Sequence, residues 1–251
     1  MPLQAQQLIT LCCQEAKVPS WTTQAGQKLN LILGELCAFD LDVIRATYQF
    51  NFSTTLASGS NPVNTQSLPA NWMRANKNDV FYTILGVQYV MIPVSLAEFD
   101  ALVQQAGLAQ YPEYYAVDNS PRGTGGNPIM YVWPPPSGAY PVTARYYAKQ
   151  ADIANPSTST VIPWFSYESE LYLHRRLTGE MMLMANDDRA TMFLNGESRV
   201  GGGATFMGAS AILKRYLQSK DDAQRIGTVT LDKRRFGTPF DKLRNTKTIG
   251  W

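Results

Sequence analysis

Apolar residues recur at a helical period at both ends of the chain. In residues 1–48 this period predicts a short helix that ends before Pro19 and a longer one, capped by Thr22 or Thr23, that runs to about Tyr48. The period returns in residues 163–219, where it predicts helices over about 165–185, 187–200 and 205–219, with the glycines of 201–203 as a break. The apolar stripes comprise Leu8, Leu11, Cys12, Ala16, Leu29, Ile32, Leu33, Leu36, Phe39, Val43, Leu171, Leu177, Met181 and Met184. Stripes at both ends of a chain most simply pack on each other, which predicts one helical bundle.

The middle of the chain, residues 52–149, has the alternation of β-strands. Its strongest signal is 129–147, where two runs of β-branched and aromatic residues flank Pro-Pro-Pro-Ser-Gly, and we interpret it as a β-hairpin. In its first strand Ile129, Tyr131 and Trp133 share one face and Met130 and Val132 the other; in its second, one face holds Tyr140, Val142, Ala144, Tyr146 and Ala148. The fold class is therefore predicted as α+β, a helical bundle with an inserted antiparallel β-rich sandwich or barrel.

Weaker signals complete this β-rich domain. Residues 80–84 and 88–92 predict a second hairpin around Leu85 and Gly86, ended by Pro93. Ser95 and Glu98 have capping-box spacing, which predicts a short helix that stops near Gly107. We expect a strand over 111–117, an exposed turn over 118–127, and loops over 52–78 and 151–163.

The last residues, 220–251, have neither period and are predicted to form an extended tail. They contain eight Lys/Arg and four Asp/Glu, whereas the whole chain has a formal net charge of only +2. Such a segment has too few apolar residues for a core of its own, so we expect a docking peptide with aromatic anchors and basic groups that fix its register. The candidate docking residues are Lys233, Arg234, Arg235, Phe236, Phe240 and Trp251.

Residues suited to catalysis or metal binding are few. Cys12, Cys13 and Cys37 are too few and too clustered for a disulfide framework and are expected as buried thiols, as in a reducing cytoplasm. His174, the single histidine, is followed by Arg175 and Arg176, which disfavour its protonated form, so we expect a solvated or interfacial histidine. No metal site, cofactor or membrane span is inferred, and the paired acids Asp187-Asp188 and Asp221-Asp222 are expected near helix ends in solvated capping roles.

The cluster Lys233-Arg234-Arg235, followed by Phe236, leaves two interpretations open. Direct contact with nucleic acid is one, but a phosphate-binding surface usually has a larger basic excess, and docking to a protein is favoured.

The order of these segments resembles the head-to-tail adaptor proteins of tailed bacteriophages, the rings placed beneath the portal. The features that resemble the family are Trp21-Thr22 before a Leu-rich helix, the strand from Tyr89 to Pro93, the turn Trp133-Pro134-Pro135-Pro136 followed by 140–147, Ile162-Pro163 before a long helix, and the extended C-terminal tail.

The resemblance implies a structural virion protein and no enzyme. It implies a ring of twelve copies at the head-tail junction, assembled from subunits made in the host cytoplasm, with the tail docked on the portal. The β domain would face nozzle or fiber-holding tail proteins below, and genomic DNA would pass through the lumen without specific binding. The sequence leaves two alternatives: a carbohydrate- or receptor-binding module of the tail that uses the Tyr/Trp-rich β domain, and a cysteine-dependent enzyme.

Overall fold

The computed structural model describes residues 2–52, 64–104, 111–123, 125–196 and 206–227. They form a mixture of helices and two β-sheets, neither of which closes into a barrel. Residue contacts divide the chain into two compact units, Met1–Lys28 with Phe165–Trp251, and Leu29–Trp164. The division falls inside a helix, between Lys28 and Leu29.

The helices are α1 (Ala5–Glu15), α2 (Thr22–Leu36), α3 (Leu96–Val103), α4 (Ser120–Gly123), α5 (Ser166–Met184), α6 (Ala190–Asn195) and α7 (Ala209–Gly227), with a 3-10 turn at Asp42–Ile44. The strands are β1 (Arg45–Asn51), β2 (Asn64–Ser67), β3 (Trp72–Arg74), β4 (Val80–Ile84), β5 (Val87–Val90), β6 (Ile92–Pro93), β7 (Tyr114–Asp118), β8 (Ile129–Trp133) and β9 (Pro141–Ala148).

In the first unit, α1 and α5 each bury an apolar face, but the predicted stripes are only partly right, since Leu11 of the α1 stripe is 43% exposed. Leu8 and Cys12 of α1 and Leu177 and Met181 of α5 are fully buried, so each helix has an apolar face against its neighbours. Two residues of the predicted α5 stripe are exposed instead, Leu171 and Met184, and Tyr172, Leu173 and Met182 are buried in their place.

The predicted extension of α2 to Tyr48 is wrong. The helix ends at Leu36, a 3-10 turn follows, and residues 45–51 are strand β1. In this strand the half-buried Ala46, Tyr48 and Phe50 alternate with exposed residues, and every residue pairs with β9. Pairing with β9, almost a hundred residues away in the sequence, therefore overrides a local pattern that also fits a helix.

The second unit contains two sheets packed over a shared core. The first has the order β1-β9-β4-β5, with β3 also paired to β9; the second has the order β2-β8-β7-β6. The core between them draws residues from both sheets, among them Tyr82, Val142 and Tyr146 from the first and Tyr115 and Met130 from the second. All pairs are antiparallel except β6 with β7, which are parallel; the expectation of a wholly antiparallel domain is wrong in this detail.

The predicted hairpin of residues 129–147 is also wrong, although the faces of its strands are right. Strand β8 pairs with β2 and β7 in one sheet, and β9 pairs with β1, β3 and β4 in the other. The proline-rich residues 134–140 therefore cross from sheet to sheet. Met130 and Val132 still share a buried face, as do Val142, Ala144, Tyr146 and Ala148, because both strands contribute to the same core.

Other local predictions have mixed outcomes. The hairpin around Leu85 and Gly86 is confirmed as β4 and β5, and the capping box of Ser95 and Glu98 is confirmed at the start of α3. The predicted loop over 52–78 contains the short strands β2 and β3, and the predicted turn over 118–127 contains the short helix α4. Helix α7 continues to Gly227, so residues 220–227 of the predicted tail are helical. The end of α3 near Gly107, the end of α6 near Val200 and the glycines of 201–203 lie outside the described residues.

Candidate assembly interface

The first sheet ends in two strands that bond to only one neighbour within the described residues. Strand β1 pairs with β9 and strand β5 pairs with β4, so each has one edge along which no described strand lies. An open edge presents unpaired N–H and C=O groups and is a ready template for pairing with another chain.

A tight turn lies at the β5 edge of this sheet. Leu85 and Gly86 join β4 to β5 as a two-residue loop, and both have positive φ values, 49° and 83°. This is the type I′ geometry that matches the twist of a hairpin. Leu85 is 99% exposed at its tip, and Val87 and Val90 are about half exposed beside it. Large apolar side chains grouped on a protein surface are typical of an interaction site.

Tyrosines stack beneath this turn. Tyr82 and Tyr89 lie ring to ring at 5.4 Å, Tyr89 and Tyr111 at 6.5 Å, and Tyr140 contacts both Tyr82 and Tyr111. Burial raises the pKa of Tyr82 to about 12, with the neighbouring Tyr89 adding to the effect. The faces of these rings are occupied by one another, which rigidifies the base of the hairpin.

Cys12 and Cys13 of the first unit are fully buried, and Cys12 lies beside the half-buried His174. Cys12 Sγ donates to the carbonyl oxygen of His174 at 3.7 Å, and burial raises the pKa of Cys12 to about 12. Since only a thiolate is a good nucleophile, burial and the raised pKa of Cys12 disfavour its reaction as a nucleophile at neutral pH. The described structure therefore gives no support to a cysteine-dependent enzyme, and the expectation that the three cysteines are buried thiols is confirmed.

His174 is half-buried and bonded inside its own unit. Its Nε2 lies 3.1 Å from Glu15 Oε2. Burial lowers the pKa of His174, Arg175 lowers it further, and Glu15 opposes both. The surroundings of His174 therefore favour the neutral form of the ring more than water does. The predicted effect of the adjacent arginine is confirmed, although burial is the larger cause.

Of the paired acids, Asp187 has a structural role at the start of α6. Asp187 accepts hydrogen bonds from the backbone N–H and the guanidinium of Arg189 just before α6, and these bonds lower the pKa of Asp187 to about 2. Asp221 and Asp222 lie in the last turns of α7. Within the described residues no three His, Cys, Asp or Glu side chains are grouped as metal ligands. Among those same parts of the chain, no helix combines the length and the apolar character needed to cross a membrane.

The predicted docking residues Lys233, Arg234, Arg235, Phe236, Phe240 and Trp251 all lie outside the described residues. The sheet edges and the apolar turn were not predicted as a site. The residues Leu85 and Gly86 signalled the turn, but the open edges could not be found without knowing that β9 lies between β1 and β4.

Comparison with known proteins places the chain in a family. The family model described as SU10 adaptor protein matches residues 3–230, nearly the whole chain. No curated protein matches it. The family consists of structural adaptors of bacteriophages, which associate with portal and tail proteins in an oligomer at the head-tail junction of the virion. The protein therefore belongs to the SU10 adaptor protein family.

Proposed function

We propose that this protein forms a ring of twelve copies that joins the portal ring to the lower tail and surrounds part of the path along which DNA is ejected. The observation that carries the proposal is the family match over residues 3–230. A closed ring needs two different complementary surfaces on each subunit. The first sheet has two different open edges in the described residues, which is compatible with that requirement.

The surfaces of both units support a role in assembly. Large apolar side chains are more than half exposed on each of them, including Leu31 and Leu85 in one unit and Leu171 and Leu183 in the other. Single exposed leucines are common, but together with an open sheet edge they favour a subunit that is covered by neighbours. The near-neutral net charge of +2 also suits a DNA conduit, because strong phosphate binding would slow passage.

We also propose that the helices from both ends of the chain form one bundle into which the β domain is inserted. Contacts within the first unit support this. Leu3 N donates to Glu170 Oε1 at 3.2 Å, and Glu15 contacts both His174 and Arg175. Leu3 precedes α1 and Glu15 is its last residue, so these contacts join the N-terminal segment of the chain to α5, more than 150 residues later.

The C-terminal segment is our candidate for contact with the portal. Because α7 continues to Gly227, the docking peptide comprises residues 228–251. We assign to it Lys233, Arg234 and Arg235 as basic groups and Phe236, Phe240 and Trp251 as anchors, since desolvated aromatic and arginine side chains dominate binding energies at interfaces.

The test is binding to purified portal particles by cosedimentation. One variant replaces Phe236, Phe240 and Trp251 with Ala; a matched control replaces Thr246 and Thr248, which lie in the same segment, with Ala. We expect the aromatic variant to lose at least tenfold in affinity and the control to bind normally. A variant with Lys233, Arg234 and Arg235 replaced by Ala should bind more weakly, most clearly at low salt. Normal binding by both variants would refute the docking assignment.

Binding of a carbohydrate by the β domain is less well supported. The tyrosines that could stack on a sugar, Tyr89 and Tyr111, stack on each other at 6.5 Å. A glycan array distinguishes the two functions, because the adaptor function predicts no bound glycan.

A further inference from the structure

The outward backbone groups of β5 can be identified from its register with β4. Ile84 pairs with Val87, Tyr82 with Tyr89, and Met91 N donates to Val80 O at 2.9 Å. In an antiparallel pair, alternate residues bond to the partner strand while the residues between them face the other way. The N–H and C=O groups of Gln88 and Val90 therefore point to the open edge.

The same reasoning applies to β1 at the opposite end of the sheet. Phe52 N donates to Tyr140 O at 3.0 Å, which fixes the alternation, so that Tyr48 and Phe50 bond to β9. The backbone groups of Thr47, Gln49 and Asn51 then point outward. Between backbone groups of the described residues, no turn, loop or cap hydrogen bond involves these outward N–H groups.

The polarity of the two edge strands makes them complementary. The order β1-β9-β4-β5 consists of antiparallel pairs throughout, so β1 and β5 run in opposite directions. If β1 of one copy lies beside β5 of the next, the sheet continues in antiparallel form. Because the two edges differ, this contact is head-to-tail and can close into a ring.

We propose that neighbouring copies join by β-strand addition, with β5 of one subunit paired to β1 of the next. The inference rests on the ring of the proposed function and names its subunit contact. The contact covers the half-exposed Val87 and Val90 as well as the unpaired backbone groups of both edges.

Cysteine pairs in the full chain test the contact directly. Gln49 and Gln88 lie on the same face of the sheet, because Gln49 and Phe81 both pair with Thr143, and Thr83 pairs with Gln88. In rings assembled on portal, Gln49→Cys with Gln88→Cys should give a ladder of disulfide-linked oligomers under mild oxidation. The native cysteines are buried and contribute little background. The matched control, Thr143→Cys with Gln88→Cys, places one cysteine on a central strand and should give no ladder.

A second pair of variants tests the backbone bonds. Gln88→Pro removes an outward N–H, whereas Gln88→Ala keeps it, and neither removes a bond to β4. We expect the proline variant to need at least tenfold more protein for ring assembly, with an unchanged near-UV circular dichroism spectrum, and the alanine variant to assemble normally.

The outcomes separate this inference from the proposed function. If rings form on portal without a disulfide ladder, and Gln88→Pro assembles as Gln88→Ala does, strand addition is refuted and the adaptor function stands. If the unaltered protein forms no ring on portal, both are refuted.

Discussion

Arg74 provides a demanding test of the fold, because one side chain binds several backbone carbonyl groups of the turn that follows helix α2. Its guanidinium donates to the carbonyl oxygens of Cys37, Ala38 and Phe39 at 2.9–3.2 Å, and also to Asp40 Oδ1 at 2.9 Å. It lies 4.8 Å from the centre of the Tyr147 ring. These carbonyl groups lie in the turn just after α2, which ends at Leu36, and a cation near the C-terminus of a helix also interacts favourably with the helix dipole.

The replacement Arg74→Ala removes all of these contacts together. Hydrogen bonds from a charged donor are each worth about 1.5–3 kcal/mol when buried. Arg74 is 33% exposed, so water replaces part of what is lost. We therefore expect a loss of about 2–3 kcal/mol in the free energy of unfolding, less than the sum of the individual bonds. Arg74→Lys should lose about half as much, because an ammonium lacks the planar fork that reaches several carbonyls.

Urea unfolding followed by circular dichroism measures these differences. The matched control is Asp40→Ala, which breaks only the exposed ion pair and should cost less than about 0.5 kcal/mol. If Asp40→Ala lowers the free energy of unfolding as much as Arg74→Ala does, this region is stabilised by the ion pair and not by the carbonyl contacts. If Arg74→Lys unfolds as the unaltered protein does, the multiple-carbonyl contact is refuted.

Three further predictions follow from individual sites. Cys12, with a pKa raised to about 12 by burial, should resist alkylation at pH 8 in the folded protein and react once urea unfolds it; rapid labelling of the folded protein would contradict its burial. The pKa of His174 in the folded protein lies below its ordinary value of 6.5, so the fold is more stable above pH 6.5 and loses this stability as the pH falls through the lowered pKa. His174→Gln should therefore flatten the pH dependence of the free energy of unfolding below pH 6.5. An unchanged slope would refute the assignment. Gly86 has a φ of 83°, and a Cβ added there would meet open space, so Gly86→Ala should lower the free energy of unfolding by about 1 kcal/mol through backbone strain alone. Leu85 has a φ of 49°, which asparagine tolerates, so Leu85→Asn should leave the thermal unfolding temperature unchanged or raise it.

Local patterns predicted the elements whose determinants are local. The turn at Leu85 and Gly86 and the capping box of Ser95 and Glu98 each depend on a few neighbouring residues, and both are present. The buried faces of β8 and β9 were also predictable, because the alternation of apolar residues records which side faces a core.

Strand pairing was not predictable because it depends on distant partners. Two strands joined by a short loop have the same alternation whether they form a hairpin or belong to two sheets over one core. Residues 134–140 connect strands of two different sheets, and β9 pairs with β1 instead of β8. Because they pair with β9, residues 45–51 form a strand where the sequence predicts a helix. The open edges of the sheet, and with them the candidate interface, follow from this pairing.

We propose that copies of this protein assemble as a ring on the portal. Native mass spectrometry of the protein mixed with purified portal measures whether that ring forms. We predict a complex whose mass equals the portal plus twelve copies of the 27.9 kDa chain, dependent on residues 228–251. A mixture in which the protein stays monomeric and no portal complex forms would contradict the account.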